Sequence, residues 1–176
     1  MMPILEETKE EIQKTLEIEQ RTICDFETRY EKLKNGISYQ YLAHIIRTLE
    51  TYIRENKKMN FFRITCHAKE TNDKTKGLAW ASYRKGFSYD ICYDETAEGL
   101  QKRVAIAHEL GHLFYLIEFD KTMDDTHEPL SSLFGIIALI DRQETLKSVE
   151  KHPSEKAIIQ DFSLLMNRKN GKTNVS

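Results

Sequence analysis

The stretch Arg103-Val-Ala-Ile-Ala-His108-Glu109-Leu-Gly-His112-Leu-Phe-Tyr115 decides how the rest of the chain is read. Val104, Ile106, Ala107, Leu110, Leu113 and Phe114 surround a short polar run, the pattern of a buried helix whose polar stripe lines a cleft. On a helix, positions four apart lie one turn up on the same face, so the imidazoles of His108 and His112 can converge on one ion. Glu109, next to the first histidine, is placed to reach a water on that ion and to take its proton as it attacks a carbonyl. This spacing predicts a zinc ion, Zn2+, with His108 and His112 as ligands and Glu109 as catalytic general base. Ala107 and Gly111 are small and leave room for close approach of another element or a ligand.

Catalytic zinc takes three protein ligands and keeps a fourth position open for water. Tyr115 and Glu118 stand where an extended HExxHxxGxxH pattern would carry its glycine and third histidine, so the third ligand is acidic or a later histidine. Glu118, six residues past His112 on the same predicted helix, points away from the imidazole face. Asp124, Asp125, His127, Glu128, Glu144 and Glu155 remain. Glu128 is preferred, because it falls in the first turn of the next predicted helix, where the helix dipole tolerates a carboxylate and the helix aims it. Tyr83, Tyr89, Tyr93, Tyr115 and His127 are the unranked candidates for an oxyanion-stabilising donor. His44, His67 and His152 have no ligand spacing.

Upstream, residues 59–93 are aromatic and β-branched in three short runs, 61–66, 77–83 and 87–93. They are separated by Asn72-Asp73-Lys74 and Arg84-Lys85-Gly86, so the reading is a small, mostly antiparallel three-stranded sheet. The long HExxH helix follows, from Thr96 to about Phe119, with Asp94 or Thr96 at its start. A polar loop over 120–126 leads to a helix over His127 to Ile140, and the segment to Arg168 reads as helical with a restart at Pro153-Ser154. At the other end, Pro3 to Asn35 reads as one helix, with Ile12, Leu16, Ile23, Phe26, Tyr30 and Leu33 on a seam that only Glu19 interrupts. Gly36 supplies a stop signal, and a second helix runs from Ser38 to Asn56 with Tyr41, Leu42, Ile45, Leu49, Tyr52 and Ile53 on one face. These two form an N-terminal helical hairpin, and helix 3–35 is available for dimerisation or docking.

A chain of 176 residues fits one ordinary domain with a helical extension, and 40% apolar with 31% charged residues is globular composition. Net charge of −2 argues against direct nucleic-acid binding by phosphate neutralisation. Cys24, Cys66 and Cys92 lie far apart and read as free thiols of a reducing compartment. No secretory signal stands at the N-terminus, and no apolar run approaches the roughly 20 residues that span a bilayer. The expectation is a cytoplasmic protein with no membrane association. Its expected parts are a helical extension over 1–57, a catalytic domain over 58–168 and a disordered tail over 169–176.

Arg103-xxx-Ala107-His108-Glu109-Leu110-Gly111-His112-Leu113 resembles the signature of the ImmA/IrrE-type metallopeptidases. In that family the third ligand is a Glu opening a helix of pattern E-x-x-A-N-x-F-A-x-x-L-L-M-P. The run Glu128-Pro-Leu-Ser131-Ser132-Leu-Phe134-Gly135-Ile-Ile-Ala138-Leu139-Ile140-Asp141 aligns with it without a gap. Ser131, Ser132 and Gly135 replace the family's Ala, Asn and Ala, and Asp141 replaces its proline. The resemblance covers 87–140. It implies an α+β, zincin-like domain, with Glu128 completing the zinc ligands. It also implies a helix-turn-helix repressor as substrate, here on a separate chain, since no helix-turn-helix is evident in this one. The expected function is a zinc endopeptidase with a narrow intracellular protein substrate. The alternative from another class is a metal-bound regulatory or protein-interaction module with little or no turnover.

Overall fold

The computed structural model describes residues 6–34, 42–70, 78–119, 127–140 and 155–169. These form six helices and three strands in an α+β arrangement: α1 (Glu6–Leu16), α2 (Gln20–Lys34), α3 (Leu42–Asn56), β1 (Arg63–Lys69), β2 (Ala79–Arg84), β3 (Ser88–Asp94), α4 (Gly99–Phe119), α5 (His127–Ile140) and α6 (Glu155–Lys169). The expectations for Gly36, Ser38, the 72–74 turn, the 120–126 loop, 141–154 and 170–176 fall outside the described residues.

The helix expected over 3–35 is two helices. Glu17 takes a left-handed backbone conformation, φ 55°, which ends α1. The carbonyl of Glu19 then accepts the amides of Thr22 and Ile23 at 3.0 and 3.2 Å and starts α2. The break falls where the apolar seam was interrupted, so the chain turns instead of exposing a long stripe. Both halves of the seam are buried: Ile12 and Leu16 from α1, Ile23, Phe26 and Tyr30 from α2. α1 packs on α6, and α2 sends Phe26 edge-on into Phe114 of α4 at 5.3 Å and Tyr30 against Phe134 of α5 at 5.8 Å. Residues of α1–α3 and of α4–α6 thus share one apolar core.

The sheet has the order β1-β3-β2, with β1 parallel to β3 and β2 antiparallel to it, so it is mixed where a mostly antiparallel sheet was expected. β2 and β3 are joined by a tight hairpin. The amide of Phe87 donates to the carbonyl of Arg84 at 2.9 Å, and Gly86 sits at φ 82°, which glycine adopts without a Cβ penalty. β1 and β2 occupy opposite edges of the sheet, with β3 central. α3 is tied to the start of β1 through Glu50, which accepts the Ile64 amide at 2.8 Å, and Arg54, whose Nε donates to the Phe62 carbonyl at 2.8 Å.

α4 begins three residues later than Thr96. The Asp94 carboxylate accepts both the amide and the hydroxyl of Thr96, at 2.9 and 2.7 Å, and Gly99 has φ 57°, so a turn occupies the space before the first helical residues. From Val104 to Tyr115 every residue of α4 is buried, because the sheet, α3, α5 and α6 all pack around it. A helix that is apolar on all sides is what such a central position requires.

Candidate metal centre

α4 and α5 meet at a point where neither has a side chain to spare. A Cβ on Gly111 would collide with the backbone of Ser131, whose Cα would lie 2.8 Å from it. Gly135, one turn further along α5, faces Phe162 of α6 and the Ala107 carbonyl carbon, which a Cβ would approach to 3.3 Å. These contacts bring the first turn of α5 onto the imidazole face of α4.

There His108, His112 and Glu128 converge, with one ligand atom from each lying within 4.8 Å of the others. Nε2 of His108 is 2.8 Å from Oε2 of Glu128, and Nε2 of His112 is 3.3 Å from Oε1. His108 is fully buried, His112 is 7% exposed, and the Glu128 side chain is 24% exposed, so the cluster opens to solvent through its carboxylate. Tetrahedral bonds of about 2.0–2.2 Å place neighbouring donor atoms about 3.3–3.6 Å apart. The 3.3 Å between His112 and Glu128 matches that spacing, while the 2.8 Å between His108 and Glu128 is a hydrogen-bond length that a bound ion would widen; the donor set, two imidazole nitrogens and a carboxylate, suits a divalent metal. Among the described residues, no other trio of His, Cys, Asp or Glu side chains comes together in this way.

The other nitrogen of each imidazole is also engaged. Ser132 Oγ lies 3.0 Å from Nδ1 of His108, and Ser131 Oγ lies 2.9 Å from Nδ1 of His112. Consecutive residues on α5 therefore hold imidazoles one turn apart on α4, and Nε2 is the nitrogen that each histidine presents to the cluster. Sequence reasoning had these serines only as departures from a family pattern. The signal lay in their spacing, three and four residues after a carboxylate that opens a helix.

Glu109 is 2% exposed on the same turn of α4. Its main-chain carbonyl accepts a hydrogen bond from the Tyr89 hydroxyl at 2.7 Å, which fastens β3 to the helix at this residue. Burial pushes the Tyr89 phenol well above its usual range, and the negative charges of Glu109 and Glu128 push it the same way, so both carboxylates act on one phenol.

Of the other tyrosines considered, Tyr115 stacks on Phe119 at 5.2 Å, Tyr93 lies under the Lys102 ammonium at 4.5 Å, and Tyr83 packs between Phe62 and Tyr89. Glu118 is turned away from the imidazoles, bound by the Tyr52 hydroxyl and paired with Lys57 at 3.5 Å. Burial raises the Tyr52 phenol, and its bond to Glu118 raises it further. Asp124, Asp125, Glu144 and His152 lie outside the described residues, while His127 opens α5 and Glu155 opens α6. His44 is half-buried on α3, and His67 stands on β1 with Nε2 3.3 Å from the sulfur of Cys92.

No protein-family model, curated protein or solved structure matches this chain. No helix among the described residues is long and apolar enough to cross a membrane.

Proposed function

We propose that the chain is a zinc-dependent endopeptidase of zincin-like fold, akin to the ImmA/IrrE-type enzymes that its HExxH segment resembles. Its substrate in this reading is a narrow cytoplasmic protein target such as a helix-turn-helix repressor. The observation that carries the reading is the buried convergence of His108, His112 and Glu128 beside a buried Glu109. His108, His112 and Glu128 would hold the ion, which when bound polarises a water and a peptide carbonyl. Ser131 and Ser132 keep Nε2 of each histidine turned inward. Glu109 takes the proton from the attacking water and delivers it to the departing amine. Its carboxylate is itself buried beside the cluster, and the solvent-facing Glu128 leaves a way in for the water it acts on.

Glu109→Gln tests this reading. The side chain is nearly isosteric, so zinc content and fold are retained, while hydrolysis of a captured partner falls about 10²- to 10⁴-fold from loss of the base. Equal cleavage by both forms rules out Glu109 as base. A partner held by both and cut by neither establishes a binding module in place of an enzyme.

A further inference from the structure

Among the described residues three large apolar side chains stand exposed, and two of them, Phe61 at 87% and Phe87 at 67%, occupy one end of the sheet. Arg63 pairs with Ser88 in the parallel ladder, and its amide donates to the Phe87 carbonyl at 3.0 Å, so the segments carrying the two rings enter the sheet side by side. Lys58, Arg63, Arg84 and Lys85 are exposed on the same segments. None of the four forms an ion pair among the described residues, whereas Arg54 and Lys57 just behind them are paired with Glu50 and Glu118. The Arg84 guanidinium instead lies over the Phe87 ring at 6.0 Å. β3 links this patch to the helix that carries the candidate site. Ile91 and Tyr89, alternate residues of β3, are buried, and Phe87 is the next in that row but overhangs into solvent. Tyr89 is the residue bonded to Glu109.

We propose that this end of the sheet docks an acidic segment of the protein substrate that carries large apolar side chains. Phe61 and Phe87 cover the apolar groups, and Lys58, Arg63, Arg84 and Lys85 pair with the carboxylates. The inference rests on the peptidase reading for its occupant and adds the chemistry of the substrate. A peptide fits better than a polyanion, because four cations on a chain of net charge −2 supply little phosphate neutralisation, while two exposed rings supply apolar anchors.

The test is a random-peptide display selection on the zinc-loaded, full-length Glu109→Gln chain, which cannot consume what it binds. The expected winners are acidic and contain aromatic or aliphatic residues. They bind at least about tenfold more weakly to the Phe61→Ala/Phe87→Ala form, and Lys58→Glu/Lys85→Glu reverses the charge preference. Both pairs are exposed, so far-ultraviolet circular dichroism and zinc content serve as controls for folding. No enrichment, winners without acidic bias, or equal binding by all forms overturns the proposal. Binding of a mixed-sequence oligonucleotide or of phosphatidylserine vesicles through this patch in preference to the peptides also overturns it. Peptides that dock on a chain without zinc or hydrolytic activity uphold the surface and sink the peptidase, and the opposite result does the reverse.

Discussion

The hydroxyl of Ser131 lies 2.9 Å from Nδ1 of His112, while the backbone of the same serine closes on Gly111, the residue before that histidine. One residue of α5 thus sets both the separation of the two helices and the orientation of an imidazole.

Removing either hydroxyl should loosen the metal without dismantling the fold. Ser131→Ala and Ser132→Ala are each expected to lower zinc affinity about 10- to 100-fold, the usual effect of losing the partner behind a ligating histidine. Competition with a chelator of known affinity measures it. Unchanged affinity in both variants would mean that the serines only pack.

Gly111→Ala is expected to cost about 1–3 kcal/mol or more, because the atoms it meets are backbone and α5 must move as a body. That movement carries Glu128 and both serines, so metal affinity falls with stability. Gly86→Ala is the contrast. Its Cβ enters open space at φ 82°, so it costs about 1 kcal/mol of backbone strain and leaves the metal alone. Thermal melts with and without zinc separate the two.

Two carboxylates near opposite ends of α4 and α5 should respond differently to amidation. Glu128→Gln removes an anionic donor from the cluster and should abolish stoichiometric zinc, since an amide oxygen is a poor substitute. Glu118→Gln should keep the zinc and cost about 1–3 kcal/mol, through its lost bonds to Tyr52 and Lys57. Zinc loss in the second variant but not the first would transfer the ligand role.

Burial pushes the Cys66 thiol up to about 11, with Cys92 adding to the effect and Lys102 opposing it, whereas Cys24 is exposed. At pH 8 only ~10⁻³ of such a thiol is thiolate, so iodoacetamide should label Cys24 first and Cys66 last, as read by peptide mass mapping. The folded value lies above the unfolded one, so the neutral thiol's contribution is present below about 9 and is lost as pH rises toward about 11. The unfolding midpoint should therefore drop across that window, and less so in Cys66→Ala.

The chain's sequence by itself determined the helices that carry the site, because a nearly unbroken apolar run of helical length surrounds His108, Glu109 and His112, and Glu128 opens the next such run. The single helix read over 3–35 was not what formed: Glu19 interrupts the apolar seam, but that the chain breaks there and folds α1 onto α6 depends on packing between distant segments. Strand direction was beyond the sequence too: the 72–74 and 84–86 turn signals look alike locally, and which edge of β3 each neighbour takes is a long-range pairing, made while β1 packs on α3 and β2 on α4. The tertiary structure alone brought Ser131 and Ser132 to the second imidazole nitrogens and Tyr89 to the Glu109 carbonyl. Those partners come from different elements, and their meeting depends on how closely α4 approaches α5, which Gly111 permits, and β3; no single stretch of sequence encodes either approach.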